Sequence, residues 1–371
     1  MKKDCHFYAL LALSRACGFK KKSSNMIAYA SQFVDDAKIN LILFQNVAQN
    51  EALDAVENKP AFFNIATCHS YFRIDTFNYE AMVNNTSAFH FVPGCQGKHF
   101  TKKLRCKEGS PVILALLNEA CQEDNLVKLG MVMHPYADTF AHQGFSGMLS
   151  KVNAINNCQI ESELSLPWIE RFPDYLKDFG KEKFERYFDK VMPAYGHAQA
   201  LDFPDLPYLV WSYKYDHSDD FKGSYQRVEV DNRDRYQRAF LKIKEQLEQY
   251  LTLYPHHRDP TIRFTQFELL WEALLYKGHD QIRIKNWQKL MIKLGLFDKE
   301  DEALWTYEED AWLKQAFVNY NHKQFDNRRV EGAICAKHFE STPWYHFVLA
   351  TKWYKKKFHH YCKEFQLFFP T

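Results

Sequence analysis

The amino-acid sequence predicts an all-α fold. Apolar residues recur mostly at the three- and four-residue spacing of amphipathic helices. Only 13 glycines and 13 prolines occur among 371 residues, which favours long regular segments over loops. Several of these segments begin at a residue of N-cap type and end at a helix-stopping residue. With 46% hydrophobic residues, the chain can bury a large core.

The first half of the chain predicts several helices in order. They cover 5–17, 24–37, a segment that begins at Pro111, and 124–144. Asp4 is the expected N-cap of the first helix, and Gly18 is its expected end. Pro135 lies inside the last segment, and proline disrupts a helix interior. We therefore expect His134 to lie at a kink, or at the cap of a helix that starts at Pro135.

The middle of the chain has a different pattern. Residues 58–100 are rich in aromatic and β-forming residues, which predicts irregular chain with a short hairpin. Helical spacing returns over 163–200, and the polar, acidic segment 214–234 is the expected connector. Beyond it, helices are predicted at 234–254, 264–277, 284–296, 301–320 and 342–364. The expected organisation is a helical core at 1–215 with an additional helical C-terminal half, residues 216–371, packed on it.

Composition excludes several classes of protein. The net charge of +2 gives no overall field that favours nucleic acid or an anionic membrane. Nine cysteines without a CxxC motif argue against a disulfide framework and favour a reducing compartment. Asp4, His6 and Arg15 interrupt the apolar run that a signal peptide needs. We therefore expect a cytoplasmic protein without a membrane span.

One short stretch, "MHPYADTFAHQGFSG" at 133–147, carries the main chemical signal. His134, Asp138 and His142 are each four residues apart, so a helix presents them on one face. These three side chains form either a buried, hydrogen-bonded trio or part of a metal site. The spacing alone leaves both interpretations open.

Polar residues in four other segments favour the metal site. His6 lies near the start of the first helix, and Asp35 and Asp36 lie at the end of the second, where carboxylates oppose the helix dipole. His69 and His90 lie in aromatic, buried segments, so each must be neutral and hydrogen-bonded or bound to something. His197 precedes Asp202 and Asp205 in a segment with turn prolines.

These segments together resemble a known family. "DCHFYALLALSRACGF", "IAYASQFVDDA", "FHFVPG", "HPYADTFAHQGFSG" and "GHAQALDFPDLPYLVWSY" are similar to an uncharacterised bacterial family, a domain of unknown function. The resemblance covers roughly residues 4–215. More remotely, the family resembles the all-helical zinc-dependent phospholipase C and single-strand nuclease superfamily. Its glycosylphosphatidylinositol-specific phospholipase D branch has the same H-x3-D-x3-H spacing.

The resemblance implies a zinc cluster with defined roles. Asp138 is the implied bridging carboxylate and, with His134, the implied catalytic centre. One metal is implied at His134, His69 and one of Asp35 or Asp36, of which Asp36 is preferred. A second is implied at His142 and His197 with a following carboxylate, and His6 approaches a third metal or Asp138. Two zinc ions are expected, with a third possible.

Two features depart from the superfamily pattern. The superfamily places a carboxylate four residues after the last histidine, but position 201 is a leucine, and the nearest acids are Asp202 and Asp205. Superfamily enzymes also often use a processed N-terminal residue as a ligand. This chain keeps Met1, Lys2 and Lys3 if no signal peptide exists, which affects the third metal.

The expected function is a metal-dependent phosphoester hydrolase that uses a metal-activated water. Two zinc ions lower the pKa of a bridging water to about 7, and the hydroxide attacks phosphorus. The expected substrate is a phosphoester-containing small molecule, lipid or nucleotide. The alternative is a non-catalytic helical binding protein with a structural or vestigial metal site. A histidine–aspartate phosphohydrolase is disfavoured because the only HD dipeptide, His279-Asp280, lies outside the cluster.

Two C-terminal features have a simple interpretation. The segment 351–369 mixes lysines with aromatic residues and is typical of an amphipathic terminal helix with a solvated face. His256 and His257, in "PHHRDP", are expected in a surface loop rather than as a ligand pair.

Overall fold

Helices form the larger part of the described chain. The structure is a computed structural model that describes residues 1–69, 78–97, 100–160, 193–216 and 227–369. Its α-helices lie at Leu10–Ala16 (α1), Lys21–Asp36 (α2), Tyr79–Ala81 (α3), Phe100–Lys103 (α4), Pro111–Cys121 (α5), Leu126–Ala141 (α6), Asn232–Leu253 (α7), Phe267–Leu274 (α8), Asp280–Lys293 (α9), Glu302–Trp305 (α10), Ala311–Ala316 (α11), His322–Phe325 (α12) and Pro343–Glu364 (α13).

Shorter helices of other types connect these elements. Two π-helices lie at Asp4–Ala9 and Met82–His90. The 3₁₀ helices lie at Lys151–Asn153, Ala198–Ala200, Phe203–Asp205, Pro255–His257, Lys299–Asp301 and Phe339–Ser341. None of the described helices is long and apolar enough to cross a membrane.

Two β-sheets show that the all-α prediction is wrong. The strands lie at Leu41–Phe44 (β1), Asp54–Val56 (β2), Lys59–Phe63 (β3), Ile155–Ile160 (β4), Val210–Tyr215 (β5), Arg227–Asp231 (β6) and Arg329–Ala333 (β7). One sheet has the order β2-β3-β1-β7 and the other β4-β5-β6. All neighbours are antiparallel except β1 and β7, which are parallel. The fold is therefore mixed α/β.

These strands are hard to predict from the sequence because they are short and most of them pair with distant segments. β1 pairs with β7 from the far end of the chain, and six residues or fewer give little periodic signal. The local hairpin is the exception. β2 and β3 pair around Glu57 and Asn58, which both have positive φ, as a type I′ turn requires. The sequence predicts a short hairpin within residues 58–100, whereas only β3 of this hairpin lies inside that range.

The predicted C-terminal helices are found with altered bounds. The predicted helix at 301–320 is divided into α10 and α11, and the connector at 214–234 contributes to β5, β6 and α7. Most of the predicted helix at 163–200 lies outside the described residues.

The main hydrophobic core includes residues from both predicted halves. Phe33 of α2 lies 5.3 Å from Trp312 and 4.9 Å from Phe347 of α13, measured between ring centroids. A smaller core surrounds Trp211 and Tyr213 of the three-stranded sheet. The division into 1–215 and 216–371 stays a prediction.

α2 and α6 pack against each other at very short range. A Cβ atom at Gly130 of α6 would lie 2.2 Å from the backbone oxygen of Ile27 in α2, so only glycine fits there. Beyond this contact, the C-terminal half of α2 lies against the middle of α6. Ser31 and Asp35 of α2 consequently face His134 of α6.

Candidate metal centre

α6 supplies three of the polar side chains. The Asn125 side chain caps its first turn by accepting a hydrogen bond from the Lys128 amide. The helix continues through Pro135, so His134 lies within it rather than at a new cap. Asp138 follows one turn later, and His142 is the C-cap residue. All three side chains are buried.

Ligand-type atoms of four residues lie close to one another beside α6. His134 Nε2 lies 3.2 Å from His90 Nδ1, 3.3 Å from Asp138 Oδ2 and 3.6 Å from Asp35 Oδ1. His90 Nδ1 lies 3.5 Å from Asp138 Oδ2 and 3.7 Å from Asp35 Oδ1. In a tetrahedral zinc site with bonds near 2.0–2.1 Å, ligand atoms are about 3.3 Å apart. These five separations are close to that value, and Asp35, His90 and His134 form a group that could hold a metal ion.

Backbone carbonyls orient both histidines of this set. His134 Nδ1 lies 2.9 Å from the Ser31 carbonyl, and His90 Nε2 lies 3.0 Å from the Thr67 carbonyl. A carbonyl can only accept, so these ring nitrogens carry the protons. In the neutral form of each ring, the opposite nitrogen is an electron-pair donor that faces the carboxylates, as metal-bound histidines require.

A second group lies beyond Asp138. His142 Nε2 is 2.9 Å from Asp205 Oδ1, and His197 Nε2 is 3.5 Å from Asp205 Oδ2. Both rings again donate through Nδ1 to a backbone carbonyl at 2.8 Å, from His142 to His90 and from His197 to Leu201. In its neutral form, each of the four histidines in the two groups thus has its second ring nitrogen available on the carboxylate side.

Unusual backbone conformations shape the second group. Leu201 has φ +51°, a region that side chains other than glycine rarely adopt, and its carbonyl is the one that holds His197. The Gly196 amide donates to the Ser146 carbonyl, which joins the His197 segment to the end of "HQGFSG". Gly144 has φ +93°, and a Cβ there would lie 2.7 Å from the Tyr215 hydroxyl.

The N-terminal π-helix contributes on a third side. His6 Nε2 lies 3.2 Å from Asp138 Oδ1, and the His6 ring stacks on His134 with centroids 3.7 Å apart. The Met1 amino group lies 2.6 Å from Asp138 Oδ1, 3.1 Å from Asp205 Oδ1 and 3.2 Å from His142 Nε2. The other ring nitrogen of His6, Nδ1, has no hydrogen-bond partner in the described part of the chain.

The electrostatic environment gives Asp138, His6 and His197 the charge states that metal binding needs. Burial would raise the pKa of Asp138, but His142, the Met1 amino group and His6 lower it well below its usual value. Burial lowers the pKa of His6 to about 4, and it has the same effect on His197. The carboxylate is therefore ionised and these two rings are neutral near pH 7.

The Met1 amino group is a cation within this cluster. Burial alone would lower its pKa, but the carboxylates of Asp138, Asp205 and Asp35 raise it to about 11. Its charge offsets part of the negative charge that these three carboxylates bring together.

Three predicted ligands are not members of these groups, although His69 lies close to them. Asp36 accepts hydrogen bonds from the Tyr307 hydroxyl and the Gln32 amide, so Asp35 is the residue that faces His134. Asp202 is 54% exposed and pairs with Lys2 at 2.7 Å. His69 contacts Thr86 through Nδ1, and its ring lies 5.7 Å from that of His90.

His90 was not assigned to a metal from the sequence, although its buried, aromatic segment singled it out. It ends the second π-helix, and π-helical turns are frequent at functional sites. The residues that converge are His6, Asp35, His90, His134, Asp138, His142, His197 and Asp205, here called the central cluster. Its buried groups of histidine and aspartate could hold a metal ion.

Comparison with known proteins places the chain in a family without adding a function. No curated protein and no solved structure matches it. The more remote similarity to zinc-dependent phospholipase C is therefore not confirmed. The family of unknown function DUF6765 matches residues 1–362, nearly the whole chain. The resemblance to an uncharacterised family is thereby confirmed, and the chain belongs to DUF6765.

Proposed function

We propose that this protein is a metal-dependent phosphoester hydrolase with zinc as its metal. The observation that carries the proposal is the set formed by Asp35 Oδ1, His90 Nδ1, His134 Nε2 and Asp138 Oδ2. Five separations within this set are 3.2–3.7 Å, close to the edge length of a tetrahedral zinc site. The imidazole ligands favour a transition metal such as zinc over calcium or magnesium, which prefer oxygen ligands alone.

The two oxygens of Asp138 support a bridging role. Oδ2 faces His134 and His90, whereas Oδ1 faces His6 and the Met1 amino group. The Met1 amino group also contacts Asp205 Oδ1. A carboxylate shared in this way holds two positions close together. Two zinc ions held there would activate a water for attack on a phosphoryl group and neutralise charge on its oxygens.

Solvent access is greatest on the Asp35 side. The Asp35 side chain is 31% exposed and that of Asp205 is 13% exposed, while Asp138 is 1% exposed. A substrate would therefore approach along the side of Asp35. The proposed substrate is a small phosphoester, a lipid or a nucleotide. The proposed location is a reducing, cytoplasmic compartment, where the nine free cysteines would remain reduced.

A second candidate is a structural metal site in a non-catalytic protein. It is favoured by the burial of His134 and Asp138 and by the four protein ligand atoms of the first set, because structural zinc sites are closed by four protein ligands. The two candidates differ in one respect, since only a catalytic centre must leave a coordination position for water.

Hydrolysis assays separate the candidates. Zinc-loaded protein would be tested on bis(p-nitrophenyl) phosphate and p-nitrophenyl phosphate, with Asp138→Asn as the test variant and Asp202→Asn as the matched control. We expect zinc-dependent hydrolysis that falls at least about 100-fold in Asp138→Asn and stays unchanged in Asp202→Asn. Stoichiometric zinc without hydrolysis of either compound would support the structural candidate instead.

A further inference from the structure

A second cluster of histidine and aspartate lies on the protein surface. His256 Nε2 is 3.0 Å from Asp124 Oδ2, and His257 Nε2 is 2.7 Å from Asp124 Oδ1. The two imidazole rings lie 4.1 Å apart. One ligand atom from each of these three residues lies within 4.8 Å of the other two, although neighbouring side chains of a chain usually diverge.

The backbone on both sides of this cluster is fixed. Tyr250 of α7 accepts a hydrogen bond from the Asn125 amide at 2.9 Å and donates to the Glu123 carbonyl at 3.1 Å, so it holds the loop around Asp124. The 3₁₀ helix Pro255–His257 follows α7 directly, and the Lys20 amide donates to the His257 carbonyl at 2.8 Å.

The orientation of His257 is also determined. Its Nδ1 lies 3.3 Å from the Ser23 hydroxyl, which leaves Nε2 on the side of Asp124. Metal-bound histidines typically have such a hydrogen bond on the second nitrogen. Because His257 is 16% exposed and His256 is 59% exposed, a metal ion can reach the point between them from solvent.

We propose that Asp124, His256 and His257 form a separate surface site for a transition-metal ion such as Zn²⁺. Three protein ligands leave the fourth tetrahedral position to water. The site is independent of the central cluster because Asp124 precedes the start of α6, whereas Asp138 lies near the end of it. Asp138 lies thirteen positions after Asn125 along α6, a distance of about 20 Å.

The metal would connect three parts of the structure. Asp124 lies between α5 and α6, the two histidines follow α7, and Ser23 lies in α2. A bound ion would fix the end of α7 to the start of α6, and the chain should then resist unfolding more strongly with metal than without it. The prediction that His256 and His257 form only a surface loop gave no role to Asp124, which is far away in sequence.

The test measures zinc content by equilibrium dialysis at micromolar free zinc and neutral pH. The test variants are His256→Ala/His257→Ala and Asp124→Asn. The matched control is His359→Ala/His360→Ala, which removes the chain's other adjacent histidine pair. These positions are mostly exposed, and circular dichroism would verify that each variant is folded.

We expect the His256→Ala/His257→Ala and Asp124→Asn variants to bind one zinc equivalent fewer than the wild type. The control should bind as much zinc as the wild type. Equal zinc content in the wild type and both test variants, including none in any of them, overturns the proposal. The result does not depend on whether the central cluster binds metal, because every variant retains that cluster.

Discussion

The backbone carbonyl of His90 accepts a hydrogen bond from His142 Nδ1 at 2.8 Å, while the His90 ring faces Asp138 at 3.5 Å. His90 therefore supplies a candidate ligand to the set that contains His134 and Asp35. It also orients His142, which belongs to the group with His197 and Asp205. The two sets are coupled through this residue as well as through Asp138. A change that moves the end of the second π-helix would disturb both.

Asp35 and Asp36 offer a matched pair of substitutions. Asp35→Asn removes an anionic ligand atom of the first set, and we expect zinc affinity to fall at least about tenfold. Asp36→Asn should leave affinity within about twofold, because Asp36 contacts Tyr307 and Gln32 instead. Competition with a zinc chelator measures both affinities. A larger loss in Asp36→Asn than in Asp35→Asn would contradict the assignment.

Asp205 and Asp202 form a second matched pair. Asp205 lies within 3.5 Å of His142 and His197, whereas Asp202 pairs with Lys2 near the surface. Asp205→Asn should lower the number of bound zinc ions by one, and Asp202→Asn should not change it. Elemental analysis of both variants after identical zinc loading decides between them. The assignment fails if Asp202→Asn is the variant that loses zinc.

These pairs also show what the sequence could and could not predict. The helical spacing of His134, Asp138 and His142 was sufficient to place them together. Helical spacing could not decide between Asp35 and Asp36. Adjacent residues on a helix point about 100° apart, so only one of them can face His134, and the sequence does not show which. The close approach of α2 and α6 at Gly130 decides which one faces His134, and that contact is tertiary.

The errors in the fold prediction have a related cause. "LILF" at β1 and "RVEGA" at β7 are short, and neither carries a periodic signal on its own. They become strands because they pair with each other across most of the chain. His90 was recognised as buried but not as a ligand, since its π-helix and its distance in sequence from α6 gave no local clue.

Arg283 and Asp4 form a buried ion pair that joins α9 to the N-terminal π-helix containing His6. Arg283 also donates to the Leu274 carbonyl at 3.0 Å, and both charged side chains are 1% exposed. Arg283→Met would leave the Asp4 carboxylate buried without its partner. We expect the free energy of unfolding to fall by about 3–5 kcal/mol in urea denaturation.

Arg233→Met is the control for that substitution. Arg233 pairs with Asp231 at the surface, where both side chains are more than one third exposed, so its loss should cost less than about 1 kcal/mol. Similar losses of stability in the two variants would show that the Arg283–Asp4 pair does not anchor the π-helix.

Lys355 should make stability depend on pH. Burial lowers the pKa of its amine to about 7, while the unfolded chain keeps a pKa of about 10.4. Between these values the unfolded chain binds more protons, so the free energy of unfolding rises with pH. Relative to Lys355→Met, the wild type should gain about 2 kcal/mol from pH 7 to pH 9.

Urea denaturation of both proteins at the two pH values measures this difference. Other titrating groups, including the buried cysteines, are common to both proteins and cancel in the comparison. Asn64, Ala66 and Asn85 supply oxygen acceptors to the Lys355 amine in the folded protein. If these acceptors keep the amine charged, the difference between the two proteins will not change with pH, which would contradict the prediction.

The central claim is that the cluster around Asp138 binds metal. Elemental analysis of zinc-loaded, dialysed protein tests it most directly, with His134→Ala and Asp138→Ala as variants and Asp36→Asn as the control. We predict that the wild type and Asp36→Asn retain the same stoichiometric zinc, and that both alanine variants retain at least one equivalent fewer. The claim is contradicted if zinc content is the same in all four proteins or if the wild type binds none.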